Sequence, residues 1–504
     1  MDRNKHPYNI ITHNRRFVYM RKVKKIALIL SIILLYTVFA GSLSASAAFK
    51  PKFTLHSEGV YMVNTDTDIV VVSKNADKKM YPASTTKIMT CLVALEEVKD
   101  FNAYVYCPYA AYNEFSGSNP NFGGGVSNAD IQPLQNNLTY MDALYALMVR
   151  SACEAANIIA YNVGGESIEN FVRMMNEKAA AIGCRNTHFS NPHGLFDENN
   201  YTTPYDMYLI TKYAIDNYPR FMDICDTYSY EMPPNENNPD GYLIAHTNKM
   251  MQPTSEYYYE GVHGIKTGSI DRYYYKNEDG TFNYDNVEYG SRALVTTAEK
   301  DGFHYIIVSM GAPYCNPDGT STETLLSFTD HINLYDWAFN EFEYALVINK
   351  NEQISQIEVD KGKNADKVGL IVTENFYTLL PKSLDTSTIQ KICTKNAEEL
   401  EAPVEKGAEM GMLELRLNGE TLTKMKLVTE KHIDLDMAEY YKEKIMNVIE
   451  TPQFVAIVIL LVVLIILFII TSSIRNSHNR RVAEMQRRRK IGMAPQKKKN
   501  IRRR

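Results

Sequence analysis

The chain has 504 residues, a formal net charge of −5, 45% hydrophobic residues and 22% charged residues. This length is enough for two or three domains, and the composition is typical of globular proteins rather than disordered chains. The charge is uneven, because residues 1–25 carry +7 and residues 472–504 carry +12, which leaves −24 on residues 26–471. The acidity of residues 26–471 argues against a protein that binds nucleic acid through charge.

The first 47 residues have the order of features found in a secretory signal peptide. Lysines and arginines between Arg15 and Lys25 precede an apolar run from Ile26 to Ala40. Small residues follow, and Ala45-Ser46-Ala47 fits an A-x-A cleavage site. We predict a signal peptide over residues 1–47, with an uncleaved membrane anchor as the alternative.

The next segment, residues 48–345, mixes strand and helix patterns. Apolar runs on either side of Asn64–Asp68 predict a β-hairpin. The sequence YPASTTKIMT, Tyr81–Thr90, follows and leads into apolar residues at helical spacing. Ser84 and Lys87 are three residues apart there, so their side chains share one face of the predicted helix.

A serine beside a lysine at this spacing can be a nucleophile with its base. A lysine held in a dry pocket loses hydration, which disfavours its charged form, and a neutral lysine can accept the serine proton. An S-x-x-K sequence is nevertheless common, and in isolation a helix cap with an exposed lysine is the simpler interpretation.

Two further motifs follow along the chain. A polar loop is predicted over Tyr112–Asn128, and a helical run over Met141–Val163 contains RSACEAAN, where Ser151 at a kink can relay a proton. Another helix is predicted to end at Gly183. A predicted edge strand over Gly261–Ile270 then carries IKTGS. Taken singly, a capping serine and an exposed strand lysine are the simpler interpretations of these two motifs.

The remaining elements complete an α+β pattern. Two strands are predicted to turn at Asp301-Gly302, and helices grouped between strands favour an α+β fold over a parallel α/β sheet. Residues 346–436 contain short alternating runs and a hairpin signal at Asn418-Gly419, which predict a separate small β-rich domain. Residues 437–453 are predicted to form an amphipathic linker helix.

The carboxyl-terminal region predicts a membrane anchor. Residues 454–470 are 17 uncharged apolar residues, at the short end of what spans a bilayer. We predict a transmembrane helix over residues 454–471 and, from the excess of positive charge, a cytoplasmic basic tail over residues 472–504 near lipid headgroups. The expected location is the cell membrane, single-pass, with the body outside the cytoplasm.

The three motifs in this order point to one family. S-x-x-K, a serine motif and K-T-G form the signature of penicillin-binding proteins and class A β-lactamases. Over roughly residues 53–345 the sequence resembles the D-alanyl-D-alanine carboxypeptidases, which are low-molecular-mass penicillin-binding proteins and serine peptidases of the S-x-x-K type. The matching segments are YPASTTKIMT, FSNPHGL (Phe189–Leu195), YTTPYDM, HTNKMM (His246–Met251) and GVHGIKTGS.

The resemblance implies a fold and a role for each matching residue. The fold would be a penicillin-binding/β-lactamase-like transpeptidase domain, with an antiparallel sheet and a helical cluster, followed by the β domain and the transmembrane helix. Ser84 would be the acylated nucleophile, Lys87 its base and Ser151 the proton carrier toward the leaving D-alanine. Lys266 and Thr267 would hold the terminal carboxylate of the substrate.

The rest of the implied substrate-binding set includes one departure from the family. Backbone N–H groups of Ser84 and Ser269 would form the oxyanion hole, and Gly268 would let the substrate backbone approach closely. Cys153 stands where the family's S-x-N motif has asparagine, and a thiol is a weak donor and a weak acceptor. Asn157 is predicted to lie too far along the helix to compensate.

The predicted activity is removal of the terminal D-alanine from peptidoglycan pentapeptides through a Ser84 acyl-enzyme, without a metal or cofactor. Predicted partners are stem peptides ending in D-Ala-D-Ala, β-lactams as covalent inhibitors and the lipid bilayer, but no nucleic acid. Cys153 and a Tyr-rich insertion at residues 271–289 motivate one alternative, a catalytically weakened cell-wall binding or scaffold protein. A β-lactamase is disfavoured, because no E-x-x-L-N pattern occurs between Ser151 and Lys266.

Overall fold

The computed structural model describes residues 49–490 and 492, apart from residues 117–118, 123–125, 317–319, 321 and 323. The predicted signal peptide, residues 1–47, lies outside the described residues. The described chain divides into two compact units. The first contains the chain up to residue 347 together with residues 377–389 and 417–420, and the second contains the rest.

A five-stranded antiparallel sheet forms the centre of the first unit. Its strands are β1 (Gly59–Asn64), β2 (Ile69–Lys74), β5 (Val262–Ser269), β8 (Ser291–Lys300) and β9 (Phe303–Pro313). The strand order is β2-β1-β9-β8-β5, so the strand that carries Lys-Thr-Gly lies at an edge, as predicted. The predicted turns of the β1–β2 and β8–β9 hairpins are also confirmed.

Helices cover both faces of this sheet. They are α1 (Lys87–Glu97), α2 (Tyr140–Met148), α3 (Cys153–Val163), α4 (Ile168–Ile182), α5 (Pro204–Asn217), α6 (Pro219–Cys225) and α7 (Leu326–Glu341). Tyr61 and Val63 of β1 join a core with α1–α6, while Val60 and Met62 join a second core with α7. Successive strand side chains point to opposite faces, so β1 is buried on both sides, and the predicted α+β class is confirmed.

The predicted helices are present, but three further helices were missed. The helical run over Met141–Val163 is broken between α2 and α3, and α4 ends at Gly183, which has a φ of 100°. No prediction was made for α5, α6 or α7. The start of α5 has clear signals, since the Thr203 hydroxyl accepts a hydrogen bond from the Asp206 N–H and Pro204 occupies the first turn.

Two small hairpins complete the first unit. They are β3 (Ser229–Met232) with β4 (Tyr242–Ala245), and β6 (Arg272–Lys276) with β7 (Phe282–Tyr289). The second hairpin occupies the Tyr-rich insertion, for which no strands were predicted. β10 (Phe342–Ile348) and β13 (Phe376–Pro381) form a further two-stranded sheet.

The second unit contains a six-stranded sheet, as predicted for a β-rich domain. Its strands are β11 (Gln353–Asp360), β12 (Lys367–Ile371), β14 (Gln390–Lys395), β15 (Glu399–Glu401), β16 (Glu409–Leu417) and β17 (Glu420–Thr429). The strand order is β14-β16-β17-β12-β11-β15. Asn418 and Gly419 both have positive φ, as the predicted tight hairpin turn requires.

Two helices follow the second sheet. They are α8 (Met437–Ile449) and α9 (Pro452–Lys490). Among the described residues, α9 is the one helix long and apolar enough to cross a membrane, judged by length and composition. It contains the whole of the predicted span, residues 454–471, and continues well beyond it.

Candidate active site

Ser84 and Lys87 are in direct contact at the start of α1. A 3₁₀ turn over Ala83–Thr86 leads into the helix, so Ser84 lies just before α1 and Lys87 is its first residue. Lys87 Nζ lies 2.9 Å from Ser84 Oγ and 2.5 Å from the carbonyl oxygen of His193. The Lys87 side chain is fully buried, so the alternative of an exposed lysine is wrong.

Burial changes the protonation of Lys87. Desolvation lowers the pKa of the Lys87 amine, and the nearby Cys153 and Glu154 oppose that effect only in part. A buried amine with a lowered pKa spends more time in its neutral form than an exposed lysine does. The arrangement therefore places a proton acceptor within hydrogen-bond distance of a serine hydroxyl.

The second motif lies at the break between two helices. Ser151 is nearly buried and has a φ of 65°, a left-handed conformation that interrupts the run between α2 and α3. Cys153 is the first residue of α3, and its Sγ lies 3.5 Å from Lys87 Nζ. Burial raises the pKa of the Cys153 thiol, so this side chain is a weak neutral neighbour of the lysine.

Asn157 does not replace the missing asparagine. Its Nδ2 donates to the Ala111 carbonyl at 3.1 Å and to Glu114 Oε1 at 2.5 Å. These partners lie in the segment that follows the first helix, and Lys87 is not among them. The prediction that Asn157 does not reach the lysine is consistent with these contacts.

The third motif lies along β5. Lys266 is fully buried, and its Nζ donates to the Thr267 carbonyl at 2.9 Å. Burial, and then the positive charge of Lys87, place the pKa of Lys266 well below its usual range. The Thr267 hydroxyl lies 2.7 Å from the Thr247 hydroxyl, and Asn248 Nδ2 donates to the Gly264 carbonyl at 2.6 Å. The segment HTNKMM therefore supports this strand.

Gly268 brings the third motif against the first. A Cβ atom on Gly268 would lie 2.9 Å from the Pro82 carbonyl oxygen and 3.3 Å from the Ser84 nitrogen. The strand and the turn thus approach so closely that only a residue without a side chain fits without displacement. Ser269 is exposed and ends the strand immediately beyond this contact.

The Tyr-rich hairpin packs beside the turn that carries Ser84. Tyr273 stacks on Phe196 at 4.1 Å between ring centroids, and both rings contact Tyr81. Asn121 exchanges hydrogen bonds with the backbone of Tyr274, at 2.7 and 3.1 Å. The hairpin is therefore one wall of a polar cavity of about 340 Å³ that borders His193.

Sequence reasoning missed several residues that contact the site. His193 accepts from Lys87 through its backbone carbonyl, Glu114 holds the side chain of His193, and Thr247 contacts Thr267. His193 and Thr247 fall in FSNPHGL and HTNKMM, segments quoted for the resemblance but given no role. Glu114 lies in a stretch predicted only as a loop. Among the residues that the structure describes, no cluster is arranged to hold a metal ion.

Comparison with known proteins finds similarity to one enzyme family. Residues 44–275 match the family described as D-alanyl-D-alanine carboxypeptidase. The chain is similar to this family over slightly less than half of its length. Residues 342–434 match the carboxyl-terminal domain of penicillin-binding protein 5. The two matches together cover the three sequence motifs and the β domain.

Curated relatives and solved structures agree with this similarity. The chain is 28% identical to D-alanyl-D-alanine carboxypeptidase DacF of Bacillus subtilis over 402 residues, covering 79% of this chain and 92% of DacF. It is 24% identical to DacA of Escherichia coli, covering 75% and 84% respectively. Penicillin-binding protein 5 of Haemophilus influenzae shares the fold, with a TM-score of 0.52, 21% identity and coverage of 77% and 100%.

Proposed function

We propose that this chain is a serine-type D-Ala-D-Ala carboxypeptidase that removes the terminal D-alanine from peptidoglycan pentapeptides. The observation that carries the proposal is the contact between Lys87 Nζ and Ser84 Oγ at 2.9 Å, with the lysine fully buried, in a chain similar to this family. In the proposed reaction, the roles implied by the family resemblance belong to Ser84, Lys87, Ser151, Lys266 and Thr267. The named activity of the curated relatives supports the choice of substrate.

In the acylation step, Ser84 Oγ attacks the carbonyl carbon of the penultimate D-alanine. Lys87 accepts the hydroxyl proton as the new C–O bond forms. The carbonyl oxygen becomes an oxyanion, which receives hydrogen bonds from the backbone N–H groups of Ser84 and Ser269. The contact of Gly268 with the Ser84 turn supports this pairing of donors from two distant segments.

The next steps release both products. The C–N bond breaks, and the proton held by Lys87 passes through the Ser151 hydroxyl to the nitrogen of the leaving D-alanine. A water molecule then attacks the Ser84 ester and gives its proton to Lys87. That proton returns to Ser84 Oγ as the shortened peptide leaves, so the enzyme ends each cycle unchanged.

Lys266 and Thr267 hold the terminal carboxylate of the substrate. Without an anion beside it, the buried Lys266 amine has its pKa well below the usual range. A carboxylate in contact favours the charged form, so binding of the peptide is coupled to protonation of Lys266. The same two residues hold the carboxylate of a penicillin, whose strained amide acylates Ser84 and blocks turnover.

The proposed activity is tested with the full-length protein in detergent and a peptide ending in D-Ala-D-Ala. We expect release of free D-alanine, and a mass increase equal to one penicillin on the peptide that contains Ser84. Ser84→Ala should lose both signals while keeping its melting temperature. Release of D-alanine at equal rates by Ser84→Ala and the unaltered chain would contradict the proposal.

We also propose that α9 anchors the enzyme in the cell membrane, with the catalytic unit outside the cytoplasm. The length and composition of α9 support this, as does the row of arginines in its carboxyl-terminal half, which fits the cytoplasmic side. A variant that ends at Glu450 should leave the membrane fraction, and protease added to intact cells should spare a tag at the carboxyl terminus. A truncated variant that still sediments with membranes would refute the anchor.

A further inference from the structure

The amine of Lys87 has one strong acceptor besides the Ser84 hydroxyl. That acceptor is the His193 carbonyl oxygen at 2.5 Å, whereas the Cys153 sulfur at 3.5 Å is a weak partner. The orientation of the Lys87 amine toward Ser84 Oγ therefore depends on the position of the His193 carbonyl oxygen. His193 lies in a segment between helices, so its position has to be fixed by its contacts.

Hydrogen bonds fix both the side chain and the tautomer of His193. The Leu195 N–H donates to His193 Nδ1 at 3.1 Å, so Nδ1 is unprotonated and the ring is neutral. The proton is then on Nε2, which donates to Glu114 Oε1 at 3.0 Å. Burial lowers the pKa of His193, which favours this neutral ring. The Phe115 ring packs edge-on against the imidazole, at 5.4 Å between centroids.

Glu114 is in turn held by α3. Its Oε1 atom accepts from Asn157 Nδ2 at 2.5 Å as well as from His193 Nε2. Asn157 is fully buried one helical turn beyond Cys153, and it also donates to the Ala111 carbonyl. One carboxylate oxygen of Glu114 therefore connects the His193 side chain to α3.

We propose that Glu114 is a positioning residue for acylation: as the common acceptor of His193 and Asn157, it holds the His193 carbonyl where it orients Lys87 toward Ser84. This inference rests on the proposed acyl-enzyme function. It explains how the site works with Cys153, because the lysine is oriented from the His193 side. Glu114 itself does not contact the reacting atoms.

The test compares two replacements of Glu114 in the full-length protein. Glu114→Gln keeps a carbonyl oxygen that accepts from both partners, whereas Glu114→Leu has similar volume and no acceptor. The Glu114 side chain is 41% exposed, so leucine is accommodated. We expect Glu114→Leu to be acylated by a fluorescent penicillin about tenfold more slowly, equivalent to about 1.4 kcal/mol. Glu114→Gln should remain within about threefold of the unaltered rate.

The controls separate positioning from general stability. Glu96→Leu removes another partly buried carboxylate, which pairs with Lys178, and should leave acylation unchanged. Melting temperatures are measured for every variant. Equal rates for Glu114→Leu and the unaltered chain, or equal losses in the Gln and Leu variants, would overturn this inference while leaving the proposed function intact. Absence of acylation in the unaltered chain would instead refute the proposed function.

Discussion

A Lys87→Met variant is expected to react with a fluorescent penicillin about a thousand times more slowly than the unaltered chain, within the range found for loss of a general base. Methionine matches the unbranched shape of lysine but cannot accept the Ser84 proton. Lys87 is fully buried and its amine contacts Ser84 Oγ, so the substitution removes the proton acceptor that lies beside this hydroxyl. The melting temperature should fall by no more than about 4 °C, since replacing a buried polar group by an apolar side chain of similar shape is often nearly neutral.

The pH dependence gives a second signature of Lys87. Acylation by the unaltered chain should slow as the pH falls through the pKa of Lys87, because the protonated amine cannot accept a proton. Burial lowers this pKa, so the decline should occur at a lower pH than an ordinary lysine would give. The decline should disappear in Lys87→Met, whose residual rate no longer depends on that amine.

A matched control is available for this substitution. Lys178→Met makes the same chemical change at a partly buried lysine on α4 that pairs with Glu96, and its acylation rate should equal that of the unaltered chain. Rates are measured by stopping the reaction at intervals and quantifying labelled protein. A Lys87→Met rate within about threefold of the unaltered chain would show that Lys87 is not the base.

Gly268→Ala is expected to slow both acylation and D-alanine release about a hundredfold. Rate losses of this size are typical when reacting groups are displaced by about 1 Å. The added methyl group would lie 2.9 Å from the Pro82 carbonyl oxygen and 3.3 Å from the Ser84 nitrogen. Backbone atoms cannot rotate away as a flexible side chain can, so β5 and the Ser84 turn must separate. That separation moves the two oxyanion donors apart.

The control for Gly268→Ala is a substitution at another glycine of the same sheet. Gly302, in the β8–β9 turn, has a φ of 78° and open space around it, and asparagine tolerates this conformation. Gly302→Asn should therefore keep both rates. If Gly268→Ala also keeps both rates, with a melting temperature like that of the unaltered chain, the close approach of strand and turn is not required for catalysis.

Local sequence patterns were sufficient for the elements that carry the motifs. The β1–β2 hairpin, the apolar stripe of α1 and the edge position of β5 each depend on signals within about a dozen residues. The break at Ser151 was also predictable, because a small polar residue interrupts an alanine-rich helical run. Proximity of Ser84 and Lys87 followed from their helical spacing, whereas the proximity of Lys266 to them came from the family resemblance.

Contacts between distant segments could not be predicted from the same patterns. Glu114 is 79 residues from His193 and 43 residues from Asn157, and nothing in their local sequences links them. The β6–β7 hairpin was overlooked although Asp279-Gly280 is a turn signal, because its polar residues resembled an unstructured insertion. The burial of Lys266 was missed for a related reason: an edge strand was assumed to be exposed, whereas helices cover both faces of this sheet.

The short junction between α8 and α9 limits where the enzyme can act. Only Glu450 and Thr451 separate the two helices, and α8, with 13 residues, spans about 20 Å. With α9 in the bilayer, the β domain stays within a few nanometres of the lipid surface, because a two-residue junction permits little movement between α8 and α9. We therefore expect the proposed enzyme to act on pentapeptides near the membrane rather than on those farther out in the wall. A flexible insertion after Glu450 should extend trimming outward, and an unchanged distribution of pentapeptides across the wall would refute this limit.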